Sequence, residues 1–445
     1  MLNSKYAGLL GLTLLGLGVA TRSQGQRLGN SPYSRLGLGD TYFNAGGVRQ
    51  MGMGGTGLAA PNGVQVNDLN PALLYYMNRT TWEVAVNSQY KTVRNNTQSQ
   101  KTGSATLGYF ALAVPLSTRW GAAIGLKPFS SVDYESVQTT VLSDLNQTPV
   151  ERRYLGQGDL SEAYFGQGIR LAKGLSAGLT ASYIFGSIDL STGTQVQVAN
   201  SLTETRAVNI DHIHYSDFKF RGGLHYRGKF NDKLNYNVGG VYAFQTNLNG
   251  ERLRTRETQN ANGSQVSGTR ADTLAQETGY AVVPALAQFG ISIDNNKNWS
   301  INADVAQQEW SKFRSFNQQG GTAAVPLSNT FRAALGGEYV PDPTSVDNYF
   351  KRVTYRVGIS MAQMPYRPAG QTLYDRAVSW GFSLPVSASP LEATTVSLAF
   401  TYGQRGNVDV NRIGGAEERN IKEDYIRAQL GISLNNRWFI KRRIE

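Results

Sequence analysis

Cysteine is absent from this 445-residue sequence, and histidine occurs only three times. Without cysteine the chain has no disulfide scaffold, no thiolate metal site and no acylated cysteine through which a lipoprotein is anchored. Charged residues make up only 17%, whereas glycine (49 residues) and tyrosine (23 residues) are frequent. This composition excludes a disordered protein. The length allows either two or three ordinary domains or one large barrel.

Long hydrophobic runs are also missing, apart from one near the N-terminus. Residues 7–20 are apolar and follow Lys5, and residues 18–20 are small. This order is typical of a secretory signal peptide, so we predict one at residues 1–20, with cleavage near residues 20–26. A membrane anchor is the alternative, but a spanning helix needs about 20 apolar residues. The sequence therefore predicts an exported chain without a spanning helix.

Between residues 82 and 434 the sequence contains fourteen stretches in which apolar and polar residues alternate. Clear examples are residues 175–185 and 426–434. A period of two places each set of residues on one face of a sheet. In a barrel with a wet interior, the apolar face contacts lipid and the polar face lines the lumen. We predict an all-β fold, a 14-stranded antiparallel transmembrane β-barrel formed by residues 81–445, with a basic tail at its C-terminus.

The connections between these stretches differ in length. Short turns are predicted at 116–119, 172–174, 228–232 and 294–298. Long polar loops are predicted at about 128–160, 190–206, 247–275, 311–328 and 404–421. Outer-membrane barrels have this alternation, because their periplasmic turns are short and their outer loops are long. An aromatic girdle is expected beside the turns, where the sequence places Trp82, Trp120, Trp299 and Trp438.

A soluble sandwich of two sheets is the competing all-β fold. Such a fold buries its apolar faces between the sheets. It has no reason to alternate short and long connections, or to carry many tyrosine and glycine residues on long strands. We therefore favour the barrel.

Residues 21–80 precede the first predicted strand and carry two motifs. Residues 51–56 read Met-Gly-Met-Gly-Gly-Thr, and Asn70-Pro71-Ala72 lies about ten residues before the wall. The glycine run superficially resembles a phosphate-binding loop, but it lacks the preceding buried strand and the following crossover helix. Glycine also lets two backbones pack closely. We interpret the segment as one that folds back inside the barrel.

With these features the chain resembles the FadL/OmpP1/TodX family of outer-membrane transporters, in its Bacteroidetes-like form. The resemblance rests on the signal peptide, the two motifs and the count of fourteen strands. It implies that residues 21–80 form a hatch that plugs the lumen. It also implies passive, energy-independent uptake of hydrophobic small molecules, such as long-chain fatty acids or aromatic hydrocarbons. The hatch residues that it singles out are Gly54, Gly55, Asn70, Pro71 and Ala72.

In that family the substrate leaves through a kinked third strand that opens the wall sideways. Lys127-Pro128 lies in the third predicted strand here, and proline removes a donor from the hydrogen-bonded ladder. Pro128 is therefore the candidate for a lateral opening. Alternatively, Pro128 lies above the membrane and merely ends the pairing. Pro284 and Pro385 interrupt other predicted strands in the same way.

Four arginines fall on the lumen face of the predicted strands. We call them the basic belt; its members are Arg221, Arg332, Arg356 and Arg427. Counted from the predicted turns, they are expected at about one height. One interpretation is that the belt binds an anionic head group, such as a fatty carboxylate. The other, which we favour, is a lattice of salt bridges with the hatch, whose acidic partners would be Glu162, Asp304 and Glu338.

Catalysis and metal binding have weak support in the sequence. His212 and His214 share one face of a predicted strand, and His225 lies lower in it. The spacing places no carboxylate beside these histidines, and no third metal ligand is visible. We therefore predict no enzyme activity, no metal and no cofactor.

The net charge of +11 does not indicate a nucleic-acid partner, because the basic residues are spread through turns, loops and lumen. Anionic lipid head groups at the barrel rims explain it better. The expected partners are outer-membrane lipid, a hydrophobic small-molecule ligand and the barrel-assembly machinery. The barrel is expected to be a monomer in the outer membrane of a Gram-negative cell. Alternatively, the plugged barrel is a structural or docking partner of an outer-membrane protein secretion or assembly machine.

Overall fold

The structure, a computed structural model, describes residues 31–41, 46–142, 148–196, 205–260, 263–316, 327–386, 392–413 and 416–436. The predicted signal peptide, its cleavage region, the basic tail and Trp438 lie outside the described residues. Among the described residues, no helix has the length and apolar character needed to cross a membrane.

The wall consists of fourteen antiparallel strands, two of which are interrupted: β1 (Thr80–Arg94), β2 (Ser99–Ser117), β3 (Trp120–Leu142), β4 (Thr148–Ala172), β5 (Leu175–Val196), β6 (Thr205–Lys229), β7 (Asn235–Ala243 and Thr246–Asn260), β8 (Asp272–Val283 and Leu286–Asp294), β9 (Trp299–Gln308), β10 (Thr330–Tyr339), β11 (Thr354–Gln363), β12 (Tyr374–Pro385), β13 (Glu392–Gly406) and β14 (Lys422–Asn436). Each strand pairs with the next, and β14 pairs with β1 over their whole length, so the sheet is closed. The predicted 14-stranded antiparallel barrel is confirmed.

The remaining elements of the described residues are short. They comprise a two-residue strand (Asp40–Thr41), an α-helix (Val48–Gly52), five 3₁₀ helices (Pro32–Arg35, Pro71–Tyr76, Trp310–Lys312, Tyr349–Arg352 and Pro368–Gly370) and a hairpin of Val410–Ile413 with Ala416–Arg419. The elements before Thr80 lie inside the wall, and the later ones belong to connections between strands.

The outer surface of the wall is apolar over the middle of the strands. Leu179, Phe220 and Leu430 leave about half of their surface exposed, whereas inward residues such as Ser176 and Thr180 are buried. An exposed apolar face and a buried polar face invert the pattern of a soluble protein. This is the pattern of a barrel that spans a membrane.

The predicted short turns all lie at one end of the barrel. They are residues 118–119, 173–174, 230–234 and 295–298, and β1 begins and β14 ends at the same level. We call this the turn end. The alternation is incomplete, however, because the connection 340–353 at the turn end is long and the connection 95–98 at the opposite end is tight.

The prediction of long loops at 128–160, 190–206 and 247–275 is wrong for most of their length. The β3–β4 ladder continues to Leu142 opposite Thr148, and β7 continues to Asn260. Beyond the lipid, a strand no longer needs an apolar outer face. The alternation of apolar and polar residues, from which the strand ends were predicted, is therefore weak there, although the backbones of the strands remain paired.

These strand extensions enclose an apolar core. It combines inward side chains of β3 to β8 with Leu38 from the segment before β1 and with residues of the connection after β9. Its members are Leu38, Val132, Tyr134, Leu160, Ile184, Ile188, Ile213, Tyr215, Leu248, Ala281, Val283, Trp310, Phe313 and Phe316. Leu160, Ile184 and Leu248 have no exposed surface. This side of the upper lumen is therefore filled by close packing.

Candidate functional site

Residues 46–79 fold inside the lumen near the turn end. They are the larger part of the segment 21–80 that was predicted as a hatch, and from here on the name hatch refers to residues 46–79 only. Its backbone lies directly against inward glycines of β3, β5, β10 and β11. A Cβ atom built there would come within 2.1–2.3 Å of hatch backbone atoms at Gly121, Gly178, Gly336 and Gly358. Glycine at these wall positions makes room for the hatch, because any side chain would displace it.

The glycine run of the hatch lies flat against β10 and β11. Gly54 and Gly55 have φ angles of +70° and +74°, which residues with a side chain rarely adopt. The carbonyl of Gly54 accepts a hydrogen bond from Arg332 Nη2 at 2.5 Å. The run follows the helix Val48–Gly52 instead of preceding one, so its geometry is that of close backbone packing and not of a phosphate-binding loop.

Asn70 both caps a helix and ties it to the wall. Its Oδ1 accepts a hydrogen bond from the Ala72 N–H at 3.0 Å, at the start of the 3₁₀ helix Pro71–Tyr76. Its Nδ2 donates to the carbonyls of Leu58 and Leu224, each at 3.1 Å. Because Asn70 is fully buried, these bonds satisfy amide groups that have no access to water.

A buried ion cluster joins the hatch to β10 and β11. The Glu338 carboxylate lies 2.6 Å from Nη2 of Arg49 and 3.1 Å from Nε of Arg356. Arg356 also donates to Gln65 Oε1 of the hatch at 3.1 Å. Both arginine side chains are only 3% exposed, so Glu338 is the charge that offsets the cost of burying them.

Other ionic contacts fasten the hatch elsewhere around the wall. Asp304 of β9 accepts hydrogen bonds from the consecutive N–H groups of residues 57–58 at 2.8 and 3.0 Å. Lys127 Nζ lies 2.6 Å from Asp68, and Arg221 donates to the Asp68 carbonyl at 2.7 Å. The lower lumen is thus held closed by contacts on several strands.

Three members of the basic belt, Arg221, Arg332 and Arg356, donate hydrogen bonds to the hatch. Arg427 does not. Its Nε donates to Gln89 Oε1 at 2.6 Å, and its guanidinium lies 4.3 Å above the Tyr425 ring. Arg332 and Arg427 also line the cavity described below, so the binding of an anion remains a prediction for these two.

The basic belt does not lie at one height. In the β10–β11 ladder Arg356 faces Glu338, whereas Arg332 faces Ala362. These levels are six residues apart on each strand, or about 20 Å. The expectation of a common height is wrong, because a count from predicted turns ignores the different lengths and the tilt of the strands.

The wall is broken between β2 and β3. Their pairing ends at Phe110 opposite Leu126, although β2 stays paired with β1, and β3 with β4, beyond this point. The facing edges, residues 99–109 and 127–142, are all described and share no backbone pairs. We call this break the seam.

Two β-bulges lie close to the last β2–β3 pair, both on the side of the seam. In β2 the register with β1 shifts at Gly108, and in β3 the register with β4 shifts at Phe129, directly after Pro128. A bulge bends its strand and increases the twist, so the two strands diverge. Pro128 remains within β3 and borders the seam, whereas Pro284 lies in the interruption of β8 and Pro385 ends β12.

Residues 31–41, which we call the N-terminal arm, cover the free edge of β3. Asp40–Thr41 pairs with residues 130–131 as an added antiparallel strand. The Ser31 N–H donates to the Asp133 carbonyl at 2.7 Å. The arm therefore takes the place that β2 leaves empty above the last pair.

Strands on the other side of the seam, β13 and β14, hold the N-terminal arm as well. Arg405 Nη1 of β13 lies 2.9 Å from the Asp40 carboxylate. The Ser31 hydroxyl donates to Glu423 of β14 at 2.7 Å. The arm thus reaches across the lumen from β13 and β14 to the seam.

A cavity of about 340 Å³ lies between the hatch, the N-terminal arm and the wall. It reaches the seam, because its lining includes Ser104 and Thr106 of β2 together with Ser131 and Asp133 of β3. Its apolar lining includes Leu36, Met51, Trp310, Leu327, Phe331 and Met364. Many polar and charged side chains complete the lining, among them Lys91, Asp375 and Arg405, so the cavity offers both apolar and polar surface to a small molecule.

The histidines have partners that the sequence did not reveal. His212 Nδ1 lies 2.5 Å from Asp189, and His214 Nδ1 lies 3.1 Å from the Ser187 hydroxyl. His225 is buried in the lumen. Cross-strand contacts depend on register, which spacing along one strand does not give. The described part of the chain contains no group of three or more residues suited to hold a metal ion.

Solved structures of outer-membrane channels share this fold. A FadL homologue of Pseudomonas aeruginosa is 13% identical, with a TM-score of 0.57 over 87% of this chain and 97% of its own. CymD, described as a monoaromatic hydrocarbon channel, is 17% identical, with a TM-score of 0.51 over 89% and 98%. The toluene transporter TodX of Pseudomonas putida is 15% identical, with a TM-score of 0.51 over 88% and 98%. A comparison with curated proteins finds no match.

These likenesses define the class: a plugged, 14-stranded transmembrane barrel with the FadL and TodX fold. The predicted resemblance to that family is confirmed at the level of the fold. The particular family follows from a family model described as BamG, which matches residues 10–445. The chain belongs to the BamG family.

Proposed function

We propose that this barrel lets hydrophobic small molecules, such as long-chain fatty acids or aromatic hydrocarbons, cross the outer membrane passively by way of the seam. One observation carries the proposal: the cavity above the hatch is lined by both edges of the seam, with Ser104 on β2 and Asp133 on β3. The likeness to barrels described as hydrocarbon and toluene channels supports the same substrate class.

The cavity is suited to an amphiphile. Its volume of about 340 Å³ lies within the usual range for small-molecule sites. Trp310, Leu327 and Met364 offer apolar surface to a chain or ring, and Arg332 and Arg427 offer charge to a carboxylate. A neutral hydrocarbon would use the apolar part alone.

A sideways exit is favourable for such a molecule. Below the cavity the hatch closes the lumen, because it is bound to the wall residues Glu338, through Arg49, and Asp304. The seam leads toward the lipid-facing surface instead. Apolar groups gain free energy when they move from water into lipid, about 25 cal/mol for each Å² of apolar surface removed from water. Passage along the seam therefore needs no energy source.

The N-terminal arm is the gate in this proposal. Asp40–Thr41 occupies the β3 edge at residues 130–131, so a molecule in the cavity passes through the seam only after the arm moves. The arm is held by a few hydrogen bonds and ion pairs at its two ends, and by Leu38 in the apolar core. It carries fewer wall contacts than the hatch and is the part that can move separately.

The test is a reversible lock on the arm. Thr41 and Ser130 are directly opposite in the added strand, and the Cα atoms of opposite residues lie about 4.5–5.5 Å apart, which a disulfide can bridge. Because the chain has no cysteine of its own, Thr41→Cys/Ser130→Cys forms only the intended bond. Protein-dependent uptake of a labelled long-chain fatty acid should fall when the pair is oxidised and recover on reduction.

A matched pair controls for oxidation itself. Thr192 and Asn209 are opposite in the continuous β5–β6 ladder, away from the cavity and the seam, so Thr192→Cys/Asn209→Cys should leave uptake unchanged. Uptake that persists with the arm locked would contradict the route through the seam. Absence of uptake by the correctly folded, unlocked barrel would contradict transport of this substrate class.

A second candidate function is that of a docking partner of the barrel-assembly machinery. The observation that favours it is the BamG family model, which matches nearly the whole chain. A barrel that is plugged by many buried contacts suits a structural role. Here, depletion of the protein should lower the amount of other folded outer-membrane barrels, and the arm-locked variant should restore them fully. In a transporter, the locked variant would fail to restore uptake.

A further inference from the structure

The connection 340–353 is unlike the other described connections at the turn end, which have two to five residues. It also exposes apolar side chains. Val346 is 91% exposed, Phe350 is 69% exposed and Tyr349 is 38% exposed. Such a cluster on a short segment is expected to contact something other than water.

This loop is ordered by its own hydrogen bonds. The Asp342 N–H donates to the Lys351 carbonyl at 2.8 Å, which closes the base of the loop. Asn348 Oδ1 accepts from the Phe350 N–H at 2.9 Å and caps the 3₁₀ helix Tyr349–Arg352. A preorganised loop presents its exposed groups without a large loss of conformational entropy on binding.

The loop lies on the lipid-facing side of the wall. The Tyr355 hydroxyl donates to the Phe350 carbonyl at 3.1 Å. Tyr355 alternates with the inward, buried Arg356, and its ring packs edge-on against Phe382 with ring centres 5.9 Å apart. Tyr339, 48% exposed, lies opposite Tyr355 in the ladder. Phe350 therefore continues the outer aromatic surface of the barrel.

Basic groups accompany the aromatic ones. Lys351 and Arg352 follow directly, and the Arg352 guanidinium lies 5.2 Å above the Tyr349 ring. The loop also carries two acidic residues: the Asp342 carboxylate accepts hydrogen bonds from the N–H and hydroxyl of Thr344, and Asp347 is exposed. Aromatic rings beside basic side chains, at the rim of an apolar belt, are the groups that membrane interfaces favour.

We propose that residues 340–353 form a membrane-surface anchor that binds anionic phospholipid head groups. Tyr349 and Phe350 enter the interface of the leaflet at the turn end, and Lys351 and Arg352 meet the phosphates. Lipid is the partner because the loop continues the lipid-facing surface at Tyr355. The anchor holds the turn end of the barrel at a fixed depth, whichever of the two candidate functions applies.

A single-cysteine reporter tests the anchor in the full chain, which has no other cysteine. Val346→Cys, labelled with a polarity-sensitive fluorophore, is placed in nanodiscs of phosphatidylglycerol and phosphatidylethanolamine. Lys297→Cys, in the exposed turn 295–298, is the matched control. The emission at residue 346 should be shifted to the blue and quenched by lipids with brominated acyl chains, and the emission at residue 297 should show neither effect.

Two further variants identify the groups that hold the loop. Phe350→Ser, and separately Lys351→Glu/Arg352→Glu, should each shift the emission at residue 346 toward that of water. The charge reversal should act in phosphatidylglycerol discs and not in phosphatidylcholine discs. Retained heat-modified mobility in electrophoresis shows that the wall is intact.

Two outcomes would overturn the proposal. One is an emission at residue 346 equal to that at residue 297, which would mean that the loop faces water. The other is a blue shift that brominated lipid does not quench, since protein would then cover the loop. Neither outcome bears on uptake through the seam, so failure of the anchor and failure of the transport proposal are distinguishable.

Discussion

The carboxylate of Asp40 lies 2.9 Å from the guanidinium of Arg405. The backbone of Asp40 pairs on its other side with Ser131 of β3. Asp40 therefore joins β13 and β3, two strands that are not neighbours in the sheet. This link is one of the contacts that hold the N-terminal arm on the free edge of β3.

Asp40→Asn should loosen the arm and leave the wall folded. Arg405 keeps Asp375 at 3.2 Å and Glu423 at 3.7 Å, so its charge is not stranded. A charged hydrogen bond whose carboxylate is 34% exposed is expected to contribute roughly 1–2 kcal/mol, or a factor of about 5 to 30 in opening. The measurement is the rate at which a maleimide labels Ser131→Cys, a buried position.

Asp342→Asn, combined with the same cysteine, is the control, because Asp342 lies in the turn-end loop and not in the arm. It should leave the labelling rate unchanged. Equal rates in the two variants would show that Asp40 does not hold the arm.

Acid should act on the same ion pair. Burial by itself would raise the pKa of Asp40, but Arg405 and Lys91 outweigh it and hold the pKa below the usual 3.8. Because the pKa of Asp40 is lower when the arm is closed, the ionised carboxylate stabilises the closed arm at pH values above the ordinary pKa. This stabilisation is lost as the pH falls through the lowered pKa. A spin label at Thr41→Cys should thus keep constant mobility from pH 7 to about 5 and gain mobility below about pH 4. Asp40→Asn should weaken this dependence, and a transition near neutral pH would contradict it.

Gly178→Ala should displace the hatch. The new Cβ would lie 2.3 Å from the carbonyl carbon of Pro71 and 2.4 Å from the nitrogen of Ala72. Backbone cannot rotate away as a flexible side chain can, so overpacking of roughly 1–3 kcal/mol is expected. Gly222→Ala is the matched control in the neighbouring strand, since its Cβ would meet nothing within 4 Å.

The readout is the temperature at which the barrel loses its heat-modified mobility. Gly178→Ala should lower it, whereas Gly222→Ala should leave it unchanged or raise it slightly. If both variants behave alike, the contact between Gly178 and the hatch is not rigid.

Asn70→Asp should weaken the hatch although the side chain keeps its size. The carboxylate can still accept from the Ala72 N–H, but it cannot donate to the carbonyls of Leu58 and Leu224. Unpaired buried acceptors cost about 1–3 kcal/mol. Asn62→Asp is the control, because Asn62 only accepts hydrogen bonds, from the N–H groups of residues 64–65. Limited proteolysis of the hatch should therefore accelerate for Asn70→Asp and stay unchanged for Asn62→Asp.

Glu338→Gln should be among the most damaging single changes to the wall. It removes the carboxylate that lies between Arg49 and Arg356 and leaves two buried cations. Breaking a buried ion pair from one side typically costs 3–5 kcal/mol. Glu309→Gln, which breaks the exposed pair with Lys312, should cost far less, because both partners are solvated. Denaturant unfolding of the two variants makes the comparison, and equal losses would contradict the structural role of Glu338.

Parts of the site could be read from the sequence. The glycine run around Gly54-Gly55 indicated close backbone packing, and the resemblance carried by Asn70-Pro71-Ala72 implied a segment inside the lumen. Pro128 marked the neighbourhood of the seam, since proline disturbs a ladder wherever it lies. The inward direction of the four arginines of the basic belt followed from the period of two.

Other parts depended on which strands meet and in what register. The sequence did not reveal that Asp40–Thr41 replaces β2 on the edge of β3, because that pairing joins segments about ninety residues apart. It also missed the long extensions of β3 to β8, whose outer faces become polar beyond the lipid. The common height assigned to Arg332 and Arg356 failed for the same reason.

The sequence by itself determined the class of architecture: alternating apolar and polar residues, repeated fourteen times, require a sheet that is apolar outside, and a sheet in lipid has to close. Only the tertiary structure decided where that closed sheet opens again. A break in a ladder is a property of two strands together. Here it lies where the bulge at Gly108 and the bulge at Phe129 come close to the same last pair, which depends on the register of two strands.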